Sequence, residues 1–309
     1  MALVTKKKIG VLMGGLSSER EVSLNTGNAI LKALLGKGYN AVGVDVGKDA
    51  AEQIRAAGVE IAFNGLHGKL GEDGAIQGLL EVIGIPCTGS GILASAMGMN
   101  KIVSKTIFKS FGLNVGPFVV VAKGTRKDAA AAAASIGYPL VVKPSAEGSS
   151  VGVTLVHAVT EFDAAVKRAF SYDREILIEK YIRGMEVQVG VLGDRALGAI
   201  EIVPKNEIYD YDAKYTEGGS QHFFPARIPP AVYQGVLDAG LLAHRALGCQ
   251  GYSRVDFIID NDGVPFILEV NTLPGMTATS LLPDIARGVG IAFPDLVEEI
   301  LRLALAGQG

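Results

Sequence analysis

The sequence predicts an α/β domain built on a parallel sheet, followed by α+β units whose strands run antiparallel. Three observations predict it. The first third alternates short apolar runs with amphipathic stretches, a β-α-β-α rhythm that suits a sheet covered on both faces. The remainder carries hairpin signals at Gly193-Asp194 and Asp262-Gly263. The chain has 309 residues, longer than one hydrophobic core usually organises.

The elements follow in order. Lys8–Met13 reads as a buried strand that stops at Gly14-Gly15. Ser18 is placed to cap a helix running to Leu35, with Glu21 completing a capping box. Ala41–Val46 and Glu60–Leu66 read as further strands, and Asp73–Ile83 as a helix, which together make a domain over residues 1–98. A second unit, residues 99–184, opens with a helix at Asn100–Phe111 and a strand at Phe118–Val121. Its Ala129–Ala134 run is a helix, because alanine is the best helix former. Strands Pro139–Lys143 and Val151–His157 flank a glycine-serine loop, and helix Glu161–Phe170 and strand Glu175–Tyr181 complete the unit. The third unit, residues 185–309, begins with the hairpin Met185–Leu192 and Ala196–Val203. A polar, tyrosine-rich stretch, Asn206–Gln221, has no periodicity and reads as a lid or a long surface loop. Helix Ala231–Leu247, the hairpin Tyr252–Asn271 and two short helices close the chain.

Composition narrows the function. With 49% hydrophobic and 20% charged residues the chain is of ordinary globular type. A net charge of −3 gives no electrostatic case for nucleic acid or an anionic membrane. Any anionic ligand must therefore meet local cations. Two cysteines, Cys87 and Cys249, make no disulfide framework and read as reduced thiols. The apolar run after Lys6–Lys8 is too short for a membrane span and lacks a signal-peptide pattern, so a cytoplasmic protein is expected.

Two segments carry chemistry. In Lys143–Val153 (KPSAEGSSVGV) a lysine ends an apolar strand, and Gly148, Ser149, Ser150 and Gly152 form a small-residue turn. Glycines let backbone N–H groups approach an anion, serines add donors, and lysine supplies a point charge. Neither a Walker A loop nor a GxGxxG turn is present. Taken alone, the loop fits a flexible turn as well as a phosphate cradle. In Ser253–Asn271, a two-residue turn at Asp262-Gly263 makes paired positions sum to 525. Asp256 then faces Glu269, and Arg254 faces Asn271, all on one side of the hairpin. Val255, Phe257, Ile259, Phe266, Leu268 and Val270 are assigned to the other, core-packing side. Facing carboxylates destabilise a sheet unless a cation joins them. An all-oxygen set suits Mg²⁺ or Mn²⁺. The competing reading is a solvent-facing strand in which Arg254 pairs with Asp256.

Five segments in order, GGLSSEREVSLNTG (14–27), LHGKLGEDG (66–74), KPSAEGSSVGV (143–153), YDYDAKY (209–215) and EVNTLPGMTATSLLP (269–283), give the chain a resemblance that covers nearly its whole length. It resembles the ATP-grasp superfamily and, within it, the D-alanine–D-alanine ligase family. The resemblance implies an ATP-grasp fold behind an N-terminal parallel-sheet domain, ATP with two Mg²⁺ or Mn²⁺ ions, and two D-alanine molecules as substrates. It also implies a homodimer working in cell-wall precursor synthesis. Glu19 should recognise the amino group of the first D-alanine and form a triad with Ser149 and Tyr215; His67 should sit near that substrate's carboxylate. Lys101, Lys143, Ser149, Ser150, Glu179, Lys180, Tyr181, Ile182 and Glu186 should line the ATP site, with Lys214 reaching the γ-phosphate. Asp256, Glu269 and Asn271 should bind the metals. Arg254 and the Gly275 N–H should stabilise an oxyanion, and Ser280 with the Leu281 N–H should hold the second D-alanine's carboxylate. His157, His222 and His244 read as structural. The rivals are a ligase joining D-alanine to D-lactate or another carboxylate–amine ligase of the superfamily, a regulatory nucleotide-binding module, and an NAD-dependent dehydrogenase. The last is disfavoured because Gly14-Gly15 is not a dinucleotide turn.

Overall fold

A computed structural model of the chain describes residues 6–205, 219–277 and 280–306. Three sheets order the molecule. The first is parallel, with β1 (Ile9–Gly14) between β2 (Ala41–Val46) and β3 (Ile61–Asn64). Helix α1 (Arg20–Gly36) buries Ile30, Ala33 and Leu34 in one core with Ile9, Val11 and Met13. On the other side, α2 (Ala50–Ala56) and α3 (Ala75–Val82) contribute Ile54, Ile76 and Leu80 to a core around Leu12, Val44 and Ala62. The expected capping box at the start of α1 is absent. The helix begins one turn position later, and the Glu19 side chain makes no cap bond. The local polar groups are used across the fold instead: the Ser17 hydroxyl donates to the His67 carbonyl at 2.7 Å, and Ser23 donates to Gly65 at 2.8 Å.

After α4 (Ile92–Met99) and α5 (Lys101–Ser110) comes a four-stranded antiparallel sheet. Its strands are β4 (Phe118–Ala122), β5 (Leu140–Pro144), β6 (Thr154–Val156) and β7 (Glu175–Lys180), in the order β4-β7-β5-β6. Helices α6 (Arg126–Ile136) and α7 (Val159–Ala169) pack on it; the alanine run is helical, as its propensity predicts. β6 is shorter than expected because residues 145–153 form the loop.

The five-stranded antiparallel sheet runs β10-β9-β8-β11-β12, with β8 (Gly184–Leu192), β9 (Arg195–Pro204), β10 (Ser220–Phe223), β11 (Tyr252–Asp260) and β12 (Pro265–Asn271). Helix α8 (Pro230–Ala246) covers one face through Val236 and Ala243, packed with Val187, Val189 and Val255. On the other face lies α9 (Leu281–Gly288), whose Leu281 and Ile285 meet Ile200 and Ile202. The last helix, α10 (Phe293–Ala306), returns to the start of the chain: Leu296, Val297, Ile300 and Leu301 enter the core of β1 and α1. Lys37 and Tyr39 both bond Glu298 there, at 2.5 and 2.6 Å.

The β11–β12 hairpin keeps the predicted pairs Arg254↔Asn271 and Asp256↔Glu269, but its turn is longer than two residues. Asp260 and Val264 close the turn, and nearer the tip the partners are Phe257↔Ile267 and Ile258↔Phe266. Leu268 is the extra residue of a β-bulge that reconciles the two registers. The bulge corrects the face assignment: Ile267 is the core residue, while Phe266 and Leu268 line the cavity on the opposite side.

Gly184 opens β8 where the two antiparallel sheets meet. A Cβ built there would lie 2.0 Å from the Ile259 carbonyl oxygen, a backbone atom that cannot swing away. Gly184→Ala is expected to destabilise the protein by about 1–3 kcal/mol, read as a lowered thermal midpoint. Among the described residues no helix is long and apolar enough to cross a membrane.

Candidate active site

The two antiparallel sheets enclose a cavity of about 490 Å³, within the range of small-ligand sites. Its walls divide by chemistry. Val141, Ile182, Met185, Ile258, Phe266 and Leu268 make an apolar end, and Lys101, Lys143, Asp256 and Glu269 make a charged end. Ser150, Glu179, Lys180, Tyr181 and Glu186 also line it. All the residues expected at an ATP site in the described segments are therefore brought to one place, save Ser149, which faces the neighbouring Glu19. Lys214 and Tyr215 lie outside the described residues.

The glycine-serine loop is held from both sides. The Lys101 ammonium donates to the Glu147 carbonyl at 2.7 Å, and the Lys101 N–H to Ser145 at 2.8 Å. One oxygen of Asp173 accepts from Ser145 N–H, the Ser145 hydroxyl and Ala146 N–H at 3.1, 2.5 and 3.0 Å. Burial pushes the Asp173 carboxyl up, but the Ser145 hydroxyl and the N–H groups of Arg174, Ala146 and Glu175 outweigh it and hold it below the usual carboxylate range. Ser149 and Ser150 both have left-handed φ, 48° and 59°, a conformation that costs non-glycine residues energy and concentrates at binding loops. At the loop tip the Ser149 hydroxyl donates to Glu19. That contact joins the first domain to the second.

A buried charge cluster of Lys105, Lys143 and Glu179 forms part of the cavity wall. The Glu179 carboxylate sits 2.8 Å from Lys143 Nζ and 3.1 Å from Lys105 Nζ. Glu179 Oε1 makes no well-aligned hydrogen bond, and the Lys105 contact acts mainly through charge. Burial pushes Glu179 up, and the two ammonium groups overcome this and keep it lowered. Burial pushes Lys105 down to about 8, with Glu179 opposing.

The carboxylate pair sits on the hairpin. Asp256 and Glu269 are cross-strand partners. Arg254 grips Asp256 with Nε and Nη2, both at 2.9 Å, and Asn271 Nδ2 donates to Asp256 at 3.2 Å. Lys101 Nζ is 3.4 Å from Glu269. The pairing of Arg254 with Asp256 weighed against a metal site is thus real, and it coexists with the facing carboxylates. No group of three or more His, Cys, Asp or Glu converges among the described residues; beside the two carboxylates stands the amide of Asn271, whose nitrogen here bonds Asp256. Two carboxylates and an amide fit a hard divalent cation, which would replace Arg254 and Lys101 as their counter-charge.

A third group faces the first domain. His67 Nε2 is 2.9 Å from the Thr26 hydroxyl and Nδ1 is 3.2 Å from Glu72, so the ring is fixed from two sides. A Cβ on Gly275 would lie 2.9 Å from Ser280 Oγ and 3.8 Å from His67 Cε1. His67, Gly275 and Ser280 therefore converge on a space that only a residue without a side chain leaves open. Ser280 Oγ accepts from Thr277 N–H at 3.0 Å just before α9. The Leu281 side chain is buried in the core, which leaves its backbone as the group presented at the helix start. Of the remaining histidines, His244 is buried against Ser253 at 2.7 Å and held neutral, its pKa pushed down to about 4 by burial.

Sequence reasoning missed Lys105, Glu72 and Asp173. Lys105 was findable: it stands four residues after Lys101 on one helix, hence on the same face. The partners of Glu72 and Asp173 are fixed only by tertiary structure.

Residues 107–302 match the family model described as D-ala D-ala ligase C-terminus, and residues 45–90 the model of its N-terminus. The chain is 61% identical over 298 residues to a D-alanine–D-alanine ligase of Geotalea uraniireducens, covering 96% of each chain. It is 56% identical over 306 residues to that of Geobacter sulfurreducens, covering 98% of this chain and 96% of the relative. Among solved structures, a D-alanine–D-alanine ligase from Bacillus anthracis complexed with ATP aligns with TM-score 0.83 at 33% identity, covering 97% and 98%. A D-Ala:D-Ser ligase from Enterococcus faecalis aligns with TM-score 0.85 at 30% identity, covering 96% and 99%. By fold and by these matches along its length, the chain belongs to the D-alanine–D-alanine ligase family.

Proposed function

We propose that the protein joins two D-alanine molecules, using ATP to activate the first. What carries this reading is the pairing of Asp256 with Glu269, beside Arg254, at the charged end of a nucleotide-sized cavity. The purine lies at the apolar end, between Ile182, Met185, Phe266 and Leu268. Lys101, Lys143 and the N–H groups of the glycine-serine loop take the phosphates, with Lys214 serving the γ-phosphate. Asp256, Glu269 and Asn271 would hold two Mg²⁺ or Mn²⁺ ions, which supply charge neutralisation during phosphoryl transfer.

The first D-alanine binds with its ammonium on Glu19 and its carboxylate beside His67. A carboxylate oxygen attacks the γ-phosphorus, the bond to ADP breaks, and an acylphosphate results. The amine of the second D-alanine, held through its carboxylate by Ser280 and the Leu281 N–H, attacks the acyl carbon. Arg254 and the Gly275 N–H stabilise the oxyanion. Phosphate leaves, the amine loses a proton, and the dipeptide remains. Most of the acceleration comes from positioning and charge stabilisation.

The likeness to a D-Ala:D-Ser ligase means that the fold alone does not choose the second nucleophile. The relatives at 52–61% identity are all named D-alanine–D-alanine ligases, which favours the amine of D-alanine. Mass spectrometry after incubation with D-alanine, ATP and Mg²⁺ should show D-alanyl-D-alanine. With D-serine and D-lactate competing, the dipeptide should still dominate. A predominant mixed product would overturn the substrate choice, and phosphate release indifferent to D-alanine would overturn the ligase reading.

A further inference from the structure

The charge cluster in the cavity wall holds more positive charge than its acid can balance. The side chain of Asn100 accepts from the N–H groups of Ile102 and Val103, at 3.0 and 3.1 Å, and so fixes the start of α5. Lys101 and Lys105 then project from one face, and both are buried. Lys101 is engaged by the Glu147 carbonyl and Glu269. Lys105 and Lys143 are left to share Glu179. One carboxylate balances one ammonium. A surplus buried cation is costly unless an anion arrives.

The two lysines are not equivalent. Lys105 approaches Glu179 from α5, with 1% of its side chain exposed. Lys143 stands at the end of β5, directly before the glycine-serine loop, with 9% exposed. Both line the cavity, and Lys143, the more exposed and set at the foot of the loop, is the one placed to turn toward phosphate. If it turned alone, Glu179 would be stranded as an unpaired charge in a fully buried position. Lys105 removes that obstacle because it stays. We propose that Lys105 is the standing counter-ion of Glu179 that frees Lys143 to bind nucleotide phosphate. Lys105 is thus a positioning residue, acting through Glu179 on Lys143. The charged groups facing it are Glu179 on β7, Lys143 on β5 and Glu269 on β12. The inference rests on reading the cavity as an ATP site.

Calorimetry with ATP and with adenosine tests it on the full-length protein. Lys105→Met should leave Lys143 captive on Glu179. ATP affinity should fall about tenfold or more, as for the loss of one charge-assisted bond, while adenosine affinity stays within about twofold of wild type. Lys105→Arg should recover most of the ATP affinity. Removing the captor as well should release Lys143, so the double variant Lys105→Met, Glu179→Gln should return the ATP-to-adenosine affinity ratio toward the wild-type value. It also removes both buried charges together, which is better tolerated than removing one, and so serves if the single variant does not fold. Equal losses for ATP and adenosine, an unchanged ATP affinity, or a double variant whose ratio stays as low as that of Lys105→Met would each overturn the proposal. A wild-type protein that binds neither compound would instead refute the ATP site itself.

Discussion

Replacing Arg254 with alanine is expected to lower turnover about 10²–10³-fold, the loss typical of one oxyanion donor. The affinity for ATP with Mg²⁺ should change little. The guanidinium is planar, stays charged, and lies two rungs from the carboxylate pair on the same face, gripping Asp256 through two nitrogens. Metal bound at Asp256 would give that carboxylate a second counter-charge, so that Arg254 would no longer be needed to neutralise it and could turn to the oxyanion. Its removal then costs chemistry and not nucleotide binding. Steady-state phosphate release beside direct ATP titration separates the two. Turnover near wild type would remove Arg254 from the oxyanion role.

Asp256→Asn should have an effect of the same order or larger. A metal supplies several kcal/mol of charge stabilisation in phosphoryl transfer, so the expected loss in turnover is about 10²–10⁴-fold. The substitution keeps the shape and removes the charge. Two consequences distinguish it from Arg254→Ala. The half-saturating concentration of Mg²⁺ should rise, and the unliganded protein should lose stability, because Arg254 is only 14% exposed and would keep its charge without this carboxylate. A magnesium titration and a thermal denaturation curve check both. An unaltered magnesium requirement would mean that Asp256 serves Arg254 alone.

Much of this could be read from the chain. The parallel sheet and α1 follow from apolar runs with the right period. The Gly193-Asp194 signal placed the β8–β9 hairpin, because a two-residue turn leaves few alternatives. The rungs bearing Asp256 and Glu269 also followed from turn arithmetic, although a longer turn and a bulge both had to intervene to give the same sum. Weakly patterned elements were invisible. Helix α2 buries only Ile54, and α4, ILASAMGM, has too many small residues to show a face. The packing of α10 against α1 joins residues more than 250 apart, a distance over which local pattern carries no information. At the site, residue types announced the glycine-serine loop and the carboxylates. The contact of Glu19 with Ser149 was implied by the family resemblance, whereas which lysine pairs with Glu179 is decided by neighbours that only folding supplies.

The insertion of Leu268 sets the grain of the site. Along a regular ribbon, consecutive side chains point to opposite sides, so a hydrocarbon wall and an ion ligand on one surface must stand two positions apart. The kink puts Leu268 and Glu269 on the same surface as immediate neighbours. The seam between the oily and the ionic halves of the chamber is therefore one residue wide, and a ligand whose flat ring gives way abruptly to anionic groups is matched by a single irregular step in the backbone.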